Sequence, residues 1–262
     1  MRFVRFVAND VIFELKDVHK SFNGVTALQE IDLRMATGRV TAVIGPSGCG
    51  KTVLLKHLIG LIRPDKGQVF FHDQRIDHLP EDKLIALRKR MGFLFQAGAL
   101  FDSQTVFENV AFPLLQHKKD LTKDQVRNVV QQKLDMVGLG HATERLPAEL
   151  SGGQQKRVAL ARAIALEPEV ILYDEPTTGL DPIRAETIND LILKLQRELQ
   201  ITSIVVTHDM HSVDRVADRV VMLDAGRIIA DGDMQEIRQS LDIKVQGFLK
   251  GDHKAFEVDR AV

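Results

Sequence analysis

The chain has 262 residues, of which 44% are hydrophobic and 27% charged, and its 35 Lys and Arg nearly balance 36 Asp and Glu. These proportions exclude a disordered chain, which lacks the apolar surface to offset its ordering entropy, and they supply no long-range field to recruit nucleic acid or an anionic membrane. One cysteine, Cys49, excludes an internal disulfide framework and a cysteine-rich zinc site, so a reducing cytosolic compartment is expected.

From Met1 to Val7, Arg alternates with Phe and Val, and the charges interrupt any apolar core of the length a signal peptide needs. Nor does any stretch approach the roughly 20 apolar residues of a spanning helix, since even Val158 to Leu166 carries Arg162. Where a membrane matters, another protein is expected to supply it. From Val11 to about Phe71 β-type residues dominate, Asn23-Gly24 is a hairpin-turn pair, and Gly38 and Gly67 are expected breaks, which together predict an antiparallel layer. The apolar runs Val40 to Ile44, Val170 to Tyr173 and Ser203 to Thr207 predict buried parallel strands, beyond whose carboxyl ends ligands collect. Between Thr105 and Leu166 strand signals vanish, and Val126, Val129, Val130, Leu134 and Val137 fall on one helical face. An inserted helical subdomain over about 105–166 is expected within an α/β fold. A further helix is predicted from about Arg184 to Leu199, with Ile188, Leu191, Ile192, Leu195 and Leu199 as its apolar stripe. The last stretch, Gly247 to Val262, is polar with Phe248, Leu249 and Phe256 embedded, as in a frayed end or a docking arm.

Three motifs carry chemistry. Gly45-Pro46-Ser47-Gly48-Cys49-Gly50-Lys51-Thr52 fits the GxxxxGK(S/T) phosphate loop, after the Val40 to Ile44 strand and before a predicted helix, Val53 to Ile59. Glycines let backbone N–H groups approach phosphate, Lys51 is placed to reach the β- and γ-phosphates, and the Thr52 hydroxyl suits Mg²⁺. Cys49 lies within that cradle, where a helix N-terminus lowers a thiol's pKa, and the rival reading is a merely small residue that the loop tolerates. The strand Val170 to Tyr173 ends in Asp174, a carboxylate suited to Mg²⁺, and Glu175, suited to orient and deprotonate a water. Ser151, in Leu150 to Arg157, is a helix cap followed by Gly152 and Gly153, so a second helix end offers donors to an anion.

The run Leu150-Ser151-Gly152-Gly153-Gln154-Gln155-Lys156-Arg157 resembles the signature motif of ATP-binding cassette (ABC) ATPases, and the phosphate loop and acidic strand lie where that family has them. The resemblance covers about Val11 to Gln239. It implies a P-loop cassette over 11–245, with a tail over 246–262 that is a candidate dimer-docking arm, and two copies sandwiching ATP and Mg²⁺ between the phosphate loop of one and Ser151 to Gln154 of the other. It further implies that Gln96 approaches Mg²⁺, Asp181 contacts the other protomer, His208 lies near the γ-phosphate and Phe22 stacks on adenine, with core packing the rival role for Phe22.

Only about 100 residues separate the phosphate loop from the signature run, with no sustained heptads, so a DNA-repair cassette with its long coiled coil is a poor match. Translation-factor relatives usually carry two cassettes. Phe95 to Ser103 and Thr105 to Leu114, on the surface where permeases dock in this family, resemble the ATPases of bacterial phospholipid transporters that maintain outer-membrane lipid asymmetry. Gln154 stands where many of those have Met, and the tail is shorter. That resemblance implies a homodimer at the cytoplasmic face of the inner membrane, with an integral permease, a STAS-domain protein and a periplasmic mammalian-cell-entry domain protein as partners, and no nucleic acid. A small-solute importer, such as one for amino acids, is the alternative.

Overall fold

The computed structural model describes residues 11–96 and 98–256. The Met1 to Val7 alternation, Ala97 of the Phe95 to Ser103 stretch and the final six residues of the tail lie outside them. The chain forms two compact units, one of Met1–Leu84 with Ile204–Val262, the other of Ile85–Ser203.

In the first unit, β1 (Val11–Phe22) and β2 (Val25–Ala36) pair antiparallel, with Phe22 opposite Val25. Asn23 and Gly24 both have positive φ, the geometry that a two-residue hairpin of the favoured twist needs. β4 (Lys66–Phe71) adds to the other edge of β1, and β5 (Gln74–Arg75) pairs with β4. Ile31, Leu33 and Met35 of β2 and Val69 and Phe71 of β4 are buried at alternate positions, and Phe13 meets Phe71 at 5.2 Å between ring centroids. Gly67 does not break the layer, as its residue type suggested, but sits inside β4 at φ +96, where a Cβ would fall 2.2 Å from the Asp17 carbonyl oxygen. The β1–β4 register slips between Lys16 and His19, so glycine is what lets two backbones cross closely at a bulge.

Beside this layer, β3 (Val40–Ile44) runs parallel to β9 (Arg219–Asp224), and β10 (Arg227–Gly232) pairs antiparallel with β9. All five β3 residues are buried, as a strand covered on both faces requires. One apolar cluster joins Ala42 and Ile44 of β3, Val220 and Met222 of β9, and Val213 of α7 (Met210–Val216). Ile237 of α8 (Met234–Arg238) and Val245 of α9 (Ile243–Lys250) complete it, and Phe248, Leu249 and Phe256 pack against it. Phe248, Leu249 and Phe256 of the tail are therefore spent against this unit's own core.

The second unit holds the parallel pair β6 (Met91–Leu94) and β7 (Val170–Asp174). From 105 to 166 it contains no strand among the described residues, in keeping with the helical periodicity. There α3 (Val106–His117), α4 (Lys123–Met136) and α5 (Gly152–Ala163) pack on one another, and α6 (Pro182–Leu199) follows β7. α3, α4 and α5 each open with a capping box, Thr105 with Glu108, Thr122 with Gln125 and Ser151 with Gln154. α4 buries Val126, Val130 and Leu134 on one stripe, and α6 buries Ile188, Leu191, Ile192 and Leu195. β8 (Thr202–Val206) begins in the second unit and ends in the first, one residue earlier at each end than its apolar run suggested.

Candidate nucleotide site

In the first unit, β3 delivers the chain into the 45–52 loop and α1 (Lys51–Leu58) leaves it. Gly45 has φ +142, and a Cβ there would lie 2.1 Å from the carbonyl oxygen of Leu223 on β9, so only glycine lets the loop turn so close to the sheet. Gly50 is the N-cap of α1 and supplies no side-chain hydrogen bond, which leaves the first N–H donors of the helix to an external acceptor. Lys51, 8% exposed, folds its Nζ back to donate to the carbonyls of Gly45 at 2.7 Å and Pro46 at 2.9 Å. Its cation thus stands at the mouth of the cradle formed by Gly45, Pro46, Ser47, Gly48 and Cys49. Thr52 is exposed on the first turn of α1.

The expectation of an activated Cys49 is overturned. The residue is only 5% exposed, and burial pushes its thiol pKa up against the smaller opposing pull of Lys51. Removing a thiolate from water outweighs the helix end, so this is an inert, small residue in the loop.

Phe22, at the β1–β2 turn, is 43% exposed, with the Lys20 ammonium 5.3 Å from its ring centroid. That exposure goes against core packing as its role. His208 is exposed two residues after β8 ends, and Asp209 behind it caps α7 by accepting from His211 N–H and from Ser212 Oγ at 2.6 Å. These bonds fix the turn that presents the imidazole.

In the second unit, β7 ends with Asp174 and Glu175 half-buried at its carboxyl end. Glu175 has φ 53, and its Oε2 accepts from Thr178 Oγ1 at 2.9 Å. Gln96 is exposed just after β6. Ser151 caps α5 by accepting from Gln154 N–H, while Gln154 Oε1 accepts from Ser151 N–H at 2.9 Å. Gln154 therefore locks the loop whose glycines, Gly152 and Gly153, open the helix. Arg157 and Arg184 line a cleft with Ser151, Gly153 and Gln154, the Arg157 guanidinium donating to the Val137 carbonyl at 3.1 Å and the Arg184 stem lying against Gly153. Asp181 caps α6 by accepting from Arg184 N–H at 3.0 Å and pairs with its Nε at 3.2 Å.

Phe22, the 45–52 loop and His208 belong to the first unit, and Gln96, Ser151 to Gln154, Asp174, Glu175 and Asp181 to the second. Sequence reasoning left three buried or half-buried polar anchors of the second unit without a role. Asn109, fully buried in α3, donates to the carbonyls of Phe101, Gln104 and Thr105 and accepts from Phe101 N–H. Arg162 of α5 donates to the carbonyls of Gly98 and Ala99 and lies over the Phe101 ring. Lys156 of α5 reaches the Glu175–Thr178 turn. Their common signal is a polar group on an otherwise apolar helical face.

A family model described as ABC transporter matches residues 28–178, more than half of the chain. The chain belongs to the ABC transporter family of ATPases. It is 43% identical over 244 residues to the intermembrane phospholipid transport system ATP-binding protein MlaF of Haemophilus influenzae, covering 93% of this chain and 92% of that protein. The Escherichia coli protein of the same name is 41% identical over 94% of this chain and 90% of its own length. A probable ribonucleotide transport ATP-binding protein of Mycobacterium leprae is 38% identical, and the match spans 69% of that longer protein. Among solved structures, a cassette of the Clostridium perfringens transporter complex CbiONQ superposes with TM-score 0.82 at 31% identity, covering 95% of this chain and 99% of that one. A dimeric cassette in a post-hydrolysis state with ADP and phosphate gives 0.79 at 33%, covering 85% and 98%.

The fold of this ABC ATPase is therefore the nucleotide-binding cassette, a mixed α/β architecture with parallel and antiparallel sheets. Among the described residues no helix is long and apolar enough to cross a membrane.

Proposed function

We propose that this ABC ATPase hydrolyses ATP to drive phospholipid movement between the inner and outer bacterial membranes through a separate permease. The observation that carries the lipid assignment is the 43% identity over 93% of the chain and 92% of the relative, a protein named for intermembrane phospholipid transport. The relative named for ribonucleotide transport matches at lower identity over a smaller share of its length.

In this reading Lys51 neutralises the β- and γ-phosphates, held in place by the N–H donors of the Gly45 to Gly50 cradle, and Phe22 stacks on adenine. Thr52 of the first unit, and Asp174 and Gln96 of the second, would offer oxygen ligands to Mg²⁺. A hydroxyl, one carboxylate and an amide suit that ion, which keeps waters and takes its remaining oxygens from substrate phosphates. Bound there, it would supply charge neutralisation on the transferring phosphoryl group. Glu175 accepts the proton of the attacking water, with Thr178 Oγ1 orienting its carboxylate, and His208 steadies the γ-phosphate region. Ser151 to Gln154 of one copy face the γ-phosphate bound by the other, where the α5 N-terminus offers N–H donors to an anion. Asp181 belongs to that dimer contact. Nucleotide then closes the dimer by differential affinity, and hydrolysis releases it.

A homodimer sits at the cytoplasmic face of the inner membrane beneath the permease, whose docking face includes Phe101 and Phe112, a ring pair 4.8 Å apart with both rings partly exposed. A STAS-domain protein binds the helical region, and a periplasmic mammalian-cell-entry domain protein carries lipid onward. The test is affinity purification of the chain from its native membrane with mass spectrometry of proteins and lipids. Co-purification of a permease, a mammalian-cell-entry domain protein and bound phospholipid supports the proposal. Recovery of a permease with a periplasmic amino-acid-binding protein and no lipid would favour the small-solute alternative.

A further inference from the structure

Lys156 lies just over one turn into α5, in the helix that the Ser151 run opens, and is only 7% exposed. Its Nζ donates to the carbonyl oxygens of Pro176 at 2.8 Å and Thr178 at 2.6 Å, with that of Glu175 at 3.4 Å. An ammonium has three donors and no acceptor, so three carbonyls use its whole capacity. Three carbonyl oxygens aimed at one buried point repel one another unless a cation sits among them. Burial pushes the Lys156 pKa down, while the Glu175 charge works in the opposite direction.

The segment gripped in this way is an awkward one. Glu175 occupies the left-handed region at φ 53, a conformation that a non-glycine residue keeps only where its surroundings impose it. The Thr178 N–H donates to the Glu175 carbonyl at 3.3 Å and the Thr178 hydroxyl to the Glu175 carboxylate at 2.9 Å. One side chain of α5 thus holds the main chain of the turn from behind, and one side chain of the turn itself holds the carboxylate.

We propose that Lys156 is a positioning residue for Glu175, fixing the 175–178 turn from the signature helix so that turnover, and not nucleotide binding, depends on its ammonium. The proposal rests on Glu175 being the base. Because α5 also begins with the Ser151 run, one ammonium links the helix end that meets nucleotide to the residue that handles the water.

The test compares the full-length chain with K156M, which keeps the stem and removes all three donors, with K156Q, which keeps one amide donor group, and with E175Q and K156M/E175Q. Steady-state ATPase gives kcat and KM, and light scattering follows ATP-driven dimer formation in the E175Q background. K156M is expected to lower kcat about 100-fold, the scale of a misplaced reacting group, with KM changed less than about threefold. K156Q falls between K156M and the unaltered chain. K156M/E175Q dimerises with ATP as E175Q does. Retention of kcat in K156M, a rise in KM at unchanged kcat, or loss of the ATP-driven dimer in the double variant would overturn the proposal. If K156M does not fold, K156Q carries the same comparison. An inactive E175Q beside a fully active K156M defeats this inference alone, whereas a fully active E175Q defeats the base assignment itself.

Discussion

Replacing Phe22 with Ala separates a nucleotide-stacking ring from a packing one. At 43% exposure a little more than half of the ring is covered within the chain. Full burial of a Phe side chain contributes about 1.5–3 kcal/mol, so truncation here costs the fold about 1 kcal/mol. Stacking of a base on an aromatic ring is worth about 1–3 kcal/mol, and at 1.4 kcal/mol per decade ATP affinity falls about 5- to 150-fold. The loss resides in the base, so a ligand without one is unaffected. Equilibrium titration of E175Q and F22A/E175Q with ATP and with inorganic tripolyphosphate resolves the two roles. We expect ATP affinity to drop about tenfold and tripolyphosphate affinity to change less than about twofold. An unchanged ATP affinity, accompanied by a melting temperature several degrees lower, would show that the ring serves the fold and would refute the reasoning.

Lys51→Ala should cut phosphate release by at least about 100-fold, because the phosphate charge loses the Lys51 ammonium; substantial residual turnover contradicts that role. Gln154→Met removes the return bond of the α5 capping box, and thermal melting should report a loss of about 0.5–1 kcal/mol. No change would mean that the bond contributes nothing. Glu167, 67% exposed, pairs with the buried Lys133 at 3.1 Å, and that hydrogen bond and charge hold its carboxyl below the ordinary range. A depressed native pKa stabilises above the unfolded value and is lost as pH falls through the native one, so Glu167→Gln should cost about 1 kcal/mol at pH 7, after allowing for solvent screening. That deficit should shrink in acid, and a deficit independent of pH in urea unfolding would exclude the ion pair as its source. Native Cys49 should react with iodoacetamide far more slowly at neutral pH than the unfolded thiol does, and equal rates would contradict its buried, raised pKa.

What was legible in the sequence was chemistry carried by neighbours along the chain. The phosphate loop, the capped Ser151 helix and the acidic end of β7 are local patterns, and each lies on the element that its flanking residues predicted. The failures are long-range. Gly67 signals a break by residue type, yet the approach of the Asp17 carbonyl from β1 decides that it lies within a strand. Cys49 sits in an anion cradle by motif, and its burial wins over the local field. Phe248, Leu249 and Phe256 look idle in a polar tail until β3 and β9 supply the face that they cover. Lys156 stood in plain view within the signature run, but its partners lie about 20 residues on and are brought to it only by folding.

In the proposed function, ATP hydrolysis by this chain moves phospholipid. The direct measurement is ATP-dependent transfer of fluorescent phospholipid by the complex of the chain with its co-purified permease in vesicles, compared with the same complex carrying E175Q. Transfer that requires ATP and stops with E175Q is the predicted result. A complex that hydrolyses ATP and carries an amino acid across the bilayer while leaving phospholipid in place would contradict it.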